Sequence, residues 1–262
     1  MKMLYCYSLA CALSLTSLIA SAQTVTLDYH FNHETHKGKN GQAERFHYLW
    51  DEKASSGYSI LGETFTKQGF QLKSLEDAPT AGNLKGTQVY IIVDPDKPKE
   101  NPNPNYIQKA DVDNIAAWVK QGGVLVMLAN DSANVELPHF NKLAGVFGIH
   151  FNDDLTNHVI DDAHFADGGV SVTGNPVFKT AKRIFMKDVC SISTIGNAKP
   201  VLKNSAGATL IASSKYGKGT VIAISDPWLY DEYTNGRLPA EYENDKAAYD
   251  LVVWLKSLVP KS

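Results

Sequence analysis

Cysteine is scarce in this chain. Of three in 262 residues, Cys6 and Cys11 fall within the first 22, so the remainder keeps Cys190 alone and an internal disulfide framework is excluded there. Positive charge is neither in excess nor clustered: 25 Lys and Arg stand against 28 Asp and Glu, a net charge of −3. Without a basic stripe, nucleic acid and anionic membrane surfaces are not expected as partners. The sequence also lacks a G-x-S-x-G elbow, a P-loop and a G-x-G-x-x-G turn, which removes the best-marked hydrolase, NTPase and dinucleotide sites. No cofactor is expected. Internal repeats and low-complexity linkers are missing too, so one domain is the economical count.

What is present begins with an export signal. Lys2 supplies a positive start, residues 4–19 form an apolar stretch, and Ala20-Ser21-Ala22 is an A-x-A cleavage pattern, so residues 1–22 read as a signal peptide. Ser8, Ser14, Thr16 and Ser17 interrupt the stretch, which is shorter than the ~20 residues a membrane span needs. The expectation is an exported protein, in the periplasm or at the cell surface, with no membrane attachment after cleavage and a net charge of −4.

Residues 23–262 read as a single α/β domain organised around residues 87–131. There an apolar run, Val89 to Val93, stops at Asp94-Pro95-Asp96, and a helical stripe of Val112, Ile115, Ala116 and Val119 leads through Gly122-Gly123 into a second run, Val124 to Leu128. Runs apolar at every position fit strands covered on both faces, and a helix between two of them makes a parallel βαβ unit. The expected fold is therefore a mostly parallel central sheet with helices on both faces. Earlier come a strand over 24–31, a helix capped by Ser55 or Ser56 and stopped by Gly69, and a strand over 70–75. Later come a helix over 137–147, a β-rich insertion or sheet extension over about 149–211, a last core strand over 220–224, and a helix over 240–258 carrying Ala247, Leu251, Trp254 and Leu258.

In an open parallel sheet, ligands bind outside the carboxyl ends of the strands. Predicted strand ends carry Asp28, Asp94 with Asp96, Asp131, and Asp226, while Asn32, His33 and Asn130 follow on the same edge. These residues suit a polar crevice, and equally suit ordinary turn and capping chemistry. Trp228, Tyr230, Tyr233 and Arg237 follow the last core strand, where rings beside a cation suit a sugar or uronate. The bland alternative for that loop is a segment pinned by buried tyrosines. His30, His33, Glu34 and His36 have no metal-ligand spacing, and no metal is expected. Cys190, in the run Val189-Cys190-Ser191-Ile192, reads as a small buried hydrophobe.

The helix-Gly-Gly-strand unit ending Gly122-Gly123-Val124-Leu125-Val126-Met127 and the late Gly217-Lys218-Gly219-Thr220-Val221-Ile222-Ala223-Ile224-Ser225-Asp226-Pro227 resemble the class I glutamine amidotransferase-like fold. Leu27-Asp28-Tyr29-His30-Phe31-Asn32 and the tail 226–244 resemble a branch of exported Bacteroidetes domains that occur alone or behind unsaturated rhamnogalacturonyl hydrolase domains. The chain departs from amidotransferases where it matters: Ala129-Asn130-Asp131-Ser132 stands where they carry a nucleophilic cysteine, so amidotransferase activity is not expected. The resemblance implies a scaffold and a setting in plant-polysaccharide use, beside polysaccharide-degrading enzymes. The expected role is binding of oligosaccharides, acidic ones of the pectin type included. Two alternatives stand: a glycosidase in which two of Asp94, Asp131 and Asp226 act as acid and base, and a structural or partner-binding domain.

Overall fold

The computed structural model describes residues 23–260 apart from Ser55 and Glu232. The expected signal peptide, with Cys6 and Cys11, lies outside the described residues, as does the candidate cap Ser55. Thirteen strands occur among those described: β1 (Gln23–Asp28), β2 (Thr35–Lys37), β3 (Ala43–Arg45), β4 (Phe70–Leu75), β5 (Val89–Val93), β6 (Val124–Leu128), β7 (Ile149–Phe151), β8 (Gly169–Ser171), β9 (Arg183–Phe185), β10 (Ile192–Thr194), β11 (Ala198–Lys203), β12 (Thr209–Tyr216) and β13 (Gly219–Ile224). The α-helices are α1 (Ser59–Lys67), α2 (Lys109–Lys120), α3 (Leu137–Val146) and α4 (Asn244–Leu258). The fold is mixed α/β around a seven-stranded sheet of order β11-β12-β13-β6-β5-β1-β4. The five strands β4, β1, β5, β6 and β13 run parallel, and β12 is antiparallel to β13.

Alternation along the central strands sorts the core into two layers. Val25, Leu27, Ile91, Val126 and Ile222 pack with Leu61 and Phe65 of α1 and with Ala247 and Leu251 of α4. Tyr90, Ile92, Leu125, Met127 and Ala223 pack with Ile115 and Val119 of α2 and with Phe140 and Leu143 of α3. A strand covered on both faces has no polar face to show, which explains the unbroken apolar runs. Gly122 ends α2 at φ +126°, a conformation that favours glycine, and a Cβ on Gly123 would stand 2.5 Å from the Trp118 ring.

Several boundaries differ from the sequence reading. Helix α1 starts after Tyr58, which makes no side-chain cap, while the Ser56 hydroxyl donates to Glu52 Oε1 at 2.6 Å. Helix α4 begins at Asn244 rather than 240, and it buries Ala247, Ala248, Leu251, Val252 and Leu255. Trp254 and Leu258 lie on the flank of that stripe, partly buried. The β-rich region is two things. The short ladders β7 with β10 and β8 with β9 stand apart from the main sheet, but β11 and β12 extend it. The edge strand β11 contains Pro200 and breaks register twice, between Pro200 and Leu202 and between Leu202 and Lys203.

Candidate functional site at the carboxyl edge of the sheet

The chain enters the sheet at β1, moves to β4 on one side, then crosses to β5 on the other. The order therefore reverses between β1 and β5, and the loops after these strands meet above that point. Asn32 Nδ2 donates to the Asp94 carbonyl at 2.8 Å, and the Asp96 amide donates to the Phe31 carbonyl at 2.9 Å. These bonds stitch the β1 loop to the β5 loop.

Parallel strands bring the predicted aspartates to one edge, where their environments divide them. Asp28 accepts from the Phe31 and His30 amides at 2.7 and 3.2 Å and from the Tyr90 hydroxyl at 2.5 Å. Asp131 accepts from the Ala133 amide and from Asn134 Nδ2, both at 2.7 Å. Asp226, fully buried, accepts from the Lys187 amide at 3.0 Å and the Trp228 amide at 2.9 Å. This is turn chemistry: each carboxylate satisfies loop donors that strand geometry leaves unpaired. Burial nevertheless pushes Asp28 up to about 7, against the bonds from Tyr90 and the turn amides that lower it.

Asp94 and Asp96 are different. One Asp94 oxygen takes the Tyr48 hydroxyl at 2.8 Å, and the other is buried with no partner. One Asp96 oxygen takes the His33 amide at 2.9 Å and Asn101 Nδ2 at 2.8 Å, and its other oxygen is likewise unpartnered. Burial drives Asp94 up to about 8, opposed by the His47 charge and the Tyr48 hydroxyl. Burial drives Asp96 up to about 6, opposed by Asn101 and the His33 amide. Both carboxyls therefore hold their protons far more tightly than an ordinary aspartate.

The wall beside Asp94 is built from residues the sequence reading did not single out as a site. His47 and Tyr48 have φ of +73° and +55°, and Asp94 itself has φ of +44°. Such conformations are rare for side chains with a Cβ, and three of them converge around one carboxyl. The His47 ring stacks on Tyr48 at 3.9 Å and 9°, and its Nδ1 meets Glu34 Oε1 at 3.0 Å. Burial lowers the His47 pKa, but the hydrogen bond and charge of Glu34 and the charge of Asp94 outweigh it and the net shift is upward. The only hint in the sequence was an aromatic run, Phe46 to Trp50, with no period.

Five buried polar atoms along this edge have no protein partner: Asn32 Oδ1, Asp94 Oδ1, Asp96 Oδ1, Asn130 Nδ2 and the Tyr230 hydroxyl. They sit on the segments that follow β1, β5, β6 and β13, four neighbours in the sheet. A buried polar group without a partner costs about 1–3 kcal/mol, so such a row marks a place where the protein spends stability.

The loop after β13 corrects part of the sugar-platform expectation. Tyr230 is fully buried in the core, and Tyr233 is buried edge-on against Phe185 at 4.9 Å, so neither presents an open face. Trp228 is partly exposed, with the Lys187 ammonium 5.9 Å from its ring, and Arg237 is exposed with its guanidinium 6.0 Å from the Tyr233 ring. The histidines of the first loop take separate partners: His33 Nδ1 lies 2.9 Å from the Tyr29 carbonyl, and His30 Nδ1 lies 3.3 Å from the Glu76 carbonyl. Among the described residues no three His, Cys, Asp or Glu gather where a metal ion would sit. Cys190 is buried and free, and burial pushes its thiol up, away from thiolate.

Neither protein-family models nor curated proteins match the chain. Among solved structures, the fold is similar to the mmIFT52 N-terminal domain, with TM-score 0.65 and 15% identity over 90% of this chain and 98% of that one. It is similar to a cytoplasmic protein from Salmonella typhimurium LT2, with TM-score 0.57 and 14% identity over 91% of this chain and 100% of that one. It is also similar to an exo-beta-1,4-mannosidase from Opitutaceae bacterium strain TAV5, with TM-score 0.51 and 13% identity, covering 92% of this chain but 37% of that enzyme. At such identities the likeness is one of fold. Among the described residues no helix is long and apolar enough to cross a membrane.

Proposed function

We propose that this chain is an exported carbohydrate-binding or accessory protein of plant-polysaccharide use, on an amidotransferase-like scaffold without the amidotransferase nucleophile. It acts in the periplasm or at the cell surface, on pectin-type oligosaccharides and beside the enzymes that degrade them. The observation that supports this best is the row of unpartnered polar atoms. Three are acceptors or acids, at Asn32, Asp94 and Asp96, and one is a donor, at Asn130, the Tyr230 hydroxyl being closed off in the core. A ligand rich in hydroxyls both donates and accepts at each oxygen, and so matches a mixed row better than an anion or a cation does. Of the groups whose charges act on Asp94, His47 and Glu34 have side chains 22% and 13% exposed. Calorimetric and NMR titration with a panel of pectic oligosaccharides is the test. Binding with shifts at His47, Trp228 and the 95–106 loop is the expected outcome; no heat and no shift across the panel rejects the reading.

A specific observation also favours hydrolysis. The glycosidase pair is not to be sought in Asp131 and Asp226, whose oxygens hold loop amides, but in Asp94 and Asp96, each with an oxygen free of protein donors. Asp94 keeps its proton up to about 8 and Asp96 loses its own above about 6, an order that suits Asp94 as acid and Asp96 as base. Hydrolysis should then follow a bell between about pH 6 and 8 and vanish in both Asp94→Asn and Asp96→Asn. A wild-type chain that binds sugars but releases no reducing ends leaves binding as the function.

A further inference from the structure

A second feature lies on the same edge, on the far side of the 95–106 loop. A cleft of about 480 Å³ opens between that loop, the segment joining β6 to α3, and the strand β7. Its volume falls within the ~300–1,000 Å³ of small-molecule sites, and it lies outside the carboxyl ends of β5 and β6, where this kind of sheet places ligands. Tyr106 lines it, half-buried, with its ring stacked on His139 at 4.8 Å and 22°. His139 is held in turn by Glu136, which accepts from its amide at 2.9 Å and meets its Nδ1 at 2.8 Å. The aromatic ring is thus fixed from behind. The loop that carries it has prolines at 95, 98, 102 and 104, which limit its backbone freedom.

The remaining polar groups are mixed in sign. Lys97 offers donors only, and its ammonium already bridges to the Ser132 carbonyl at 2.5 Å, tying one wall to the other. Asp153 offers acceptors only, and His150 is exposed and able to do either. A phosphate would meet one cation against the carboxylates of Asp153 and Glu136, and a cationic peptide would meet Lys97. A pyranose suits all three conditions: an apolar ring face for Tyr106, hydroxyls for Asp153 and His150, and, in a uronate, a carboxylate for Lys97.

We propose that this cleft is a sugar subsite in which one pyranose stacks on Tyr106 and a uronate carboxylate pairs with Lys97. The proposal rests on the carbohydrate reading above and assigns its recognition to residues outside the Asp94 cluster. The test titrates the full chain with digalacturonate and with galactobiose, following binding by calorimetry and by NMR shifts. Tyr106→Ala should weaken both sugars at least tenfold, Tyr106→Phe should stay within threefold of wild type, and Lys97→Ala should weaken digalacturonate at least threefold more than galactobiose. Tyr249→Ala, an exposed ring on α4, serves as the aromatic control and should change nothing. Binding that survives Tyr106→Ala in a variant that folds with wild-type spectra, or shifts that centre on His47 and Trp228 while the cleft is silent, overturns the subsite and leaves the carbohydrate reading standing. No binding of any sugar rejects both.

Discussion

Asp226 and Asp94 end neighbouring parts of one sheet edge, are both buried, and belong to opposite kinds of chemistry. The first has each oxygen on a backbone amide and acts as a staple for its loop. The second has one oxygen on a tyrosine, one on nothing, and a backbone in a rare conformation. The residue type is the same and both follow parallel strands, so the difference comes from which backbone amides reach each carboxyl. Amides from the next turn and from the segment after β9 consume the Asp226 carboxylate, whereas Asp94 takes the Tyr48 hydroxyl.

Asp226→Ala strands two partly buried amides, and the loss should be about 2 kcal/mol in urea unfolding; a loss under about 1 kcal/mol would show that Asp226 is no staple. Asp94→Asn should move stability the other way, and the sign depends on pH. Its folded pKa of about 8 lies above the 3.8 of an ordinary aspartate, so the folded state keeps a proton that the unfolded state releases. Stability from this group is therefore full at low pH, falls by up to about 1.4 kcal/mol per unit as pH rises from about 4, and levels off above about 8. Asparagine does not ionise and tolerates the left-handed conformation, so the variant should equal wild type near pH 4 and exceed it by a margin that widens up to about pH 8. A gap that does not widen with pH contradicts a buried neutral carboxyl.

Two smaller effects sharpen the picture. Tyr48→Phe leaves Asp94 without its single side-chain donor and should lose about 1–2 kcal/mol, with wild-type spectra otherwise. Glu136→Ala removes the cap of α3 and should lose about 1 kcal/mol by thermal unfolding, together with the immobility of the Tyr106 ring as seen by NMR.

The architecture was largely legible from residues. Runs such as Val89 to Val93 and Val124 to Leu128 require cover on both faces, and that requirement nearly dictates the parallel sheet. The site was legible only in outline. Strand-end aspartates marked the edge, but whether a carboxylate is consumed or left over depends on loop amides such as those of Lys187 and Trp228, 39 and 2 residues from Asp226. The partners of Asp94 come from residue 48, in a segment whose left-handed conformations at His47 and Tyr48 follow no pattern of polarity. In the loop 228–237 the same aromatic composition fits an open platform or a buried pin, and burial chose the pin for Tyr230 and Tyr233.

The irregular edge of the sheet has a consequence of its own. Central strands of nearly unbroken Val, Ile and Leu are the composition from which stacked fibrils form, and a regular border would let one molecule recruit the next strand by strand. Pro200 withholds an amide, the two register breaks spoil the spacing of those that remain, and Lys199 and Lys203 flank them with like charge. That border is a poor template for a strand of the next molecule.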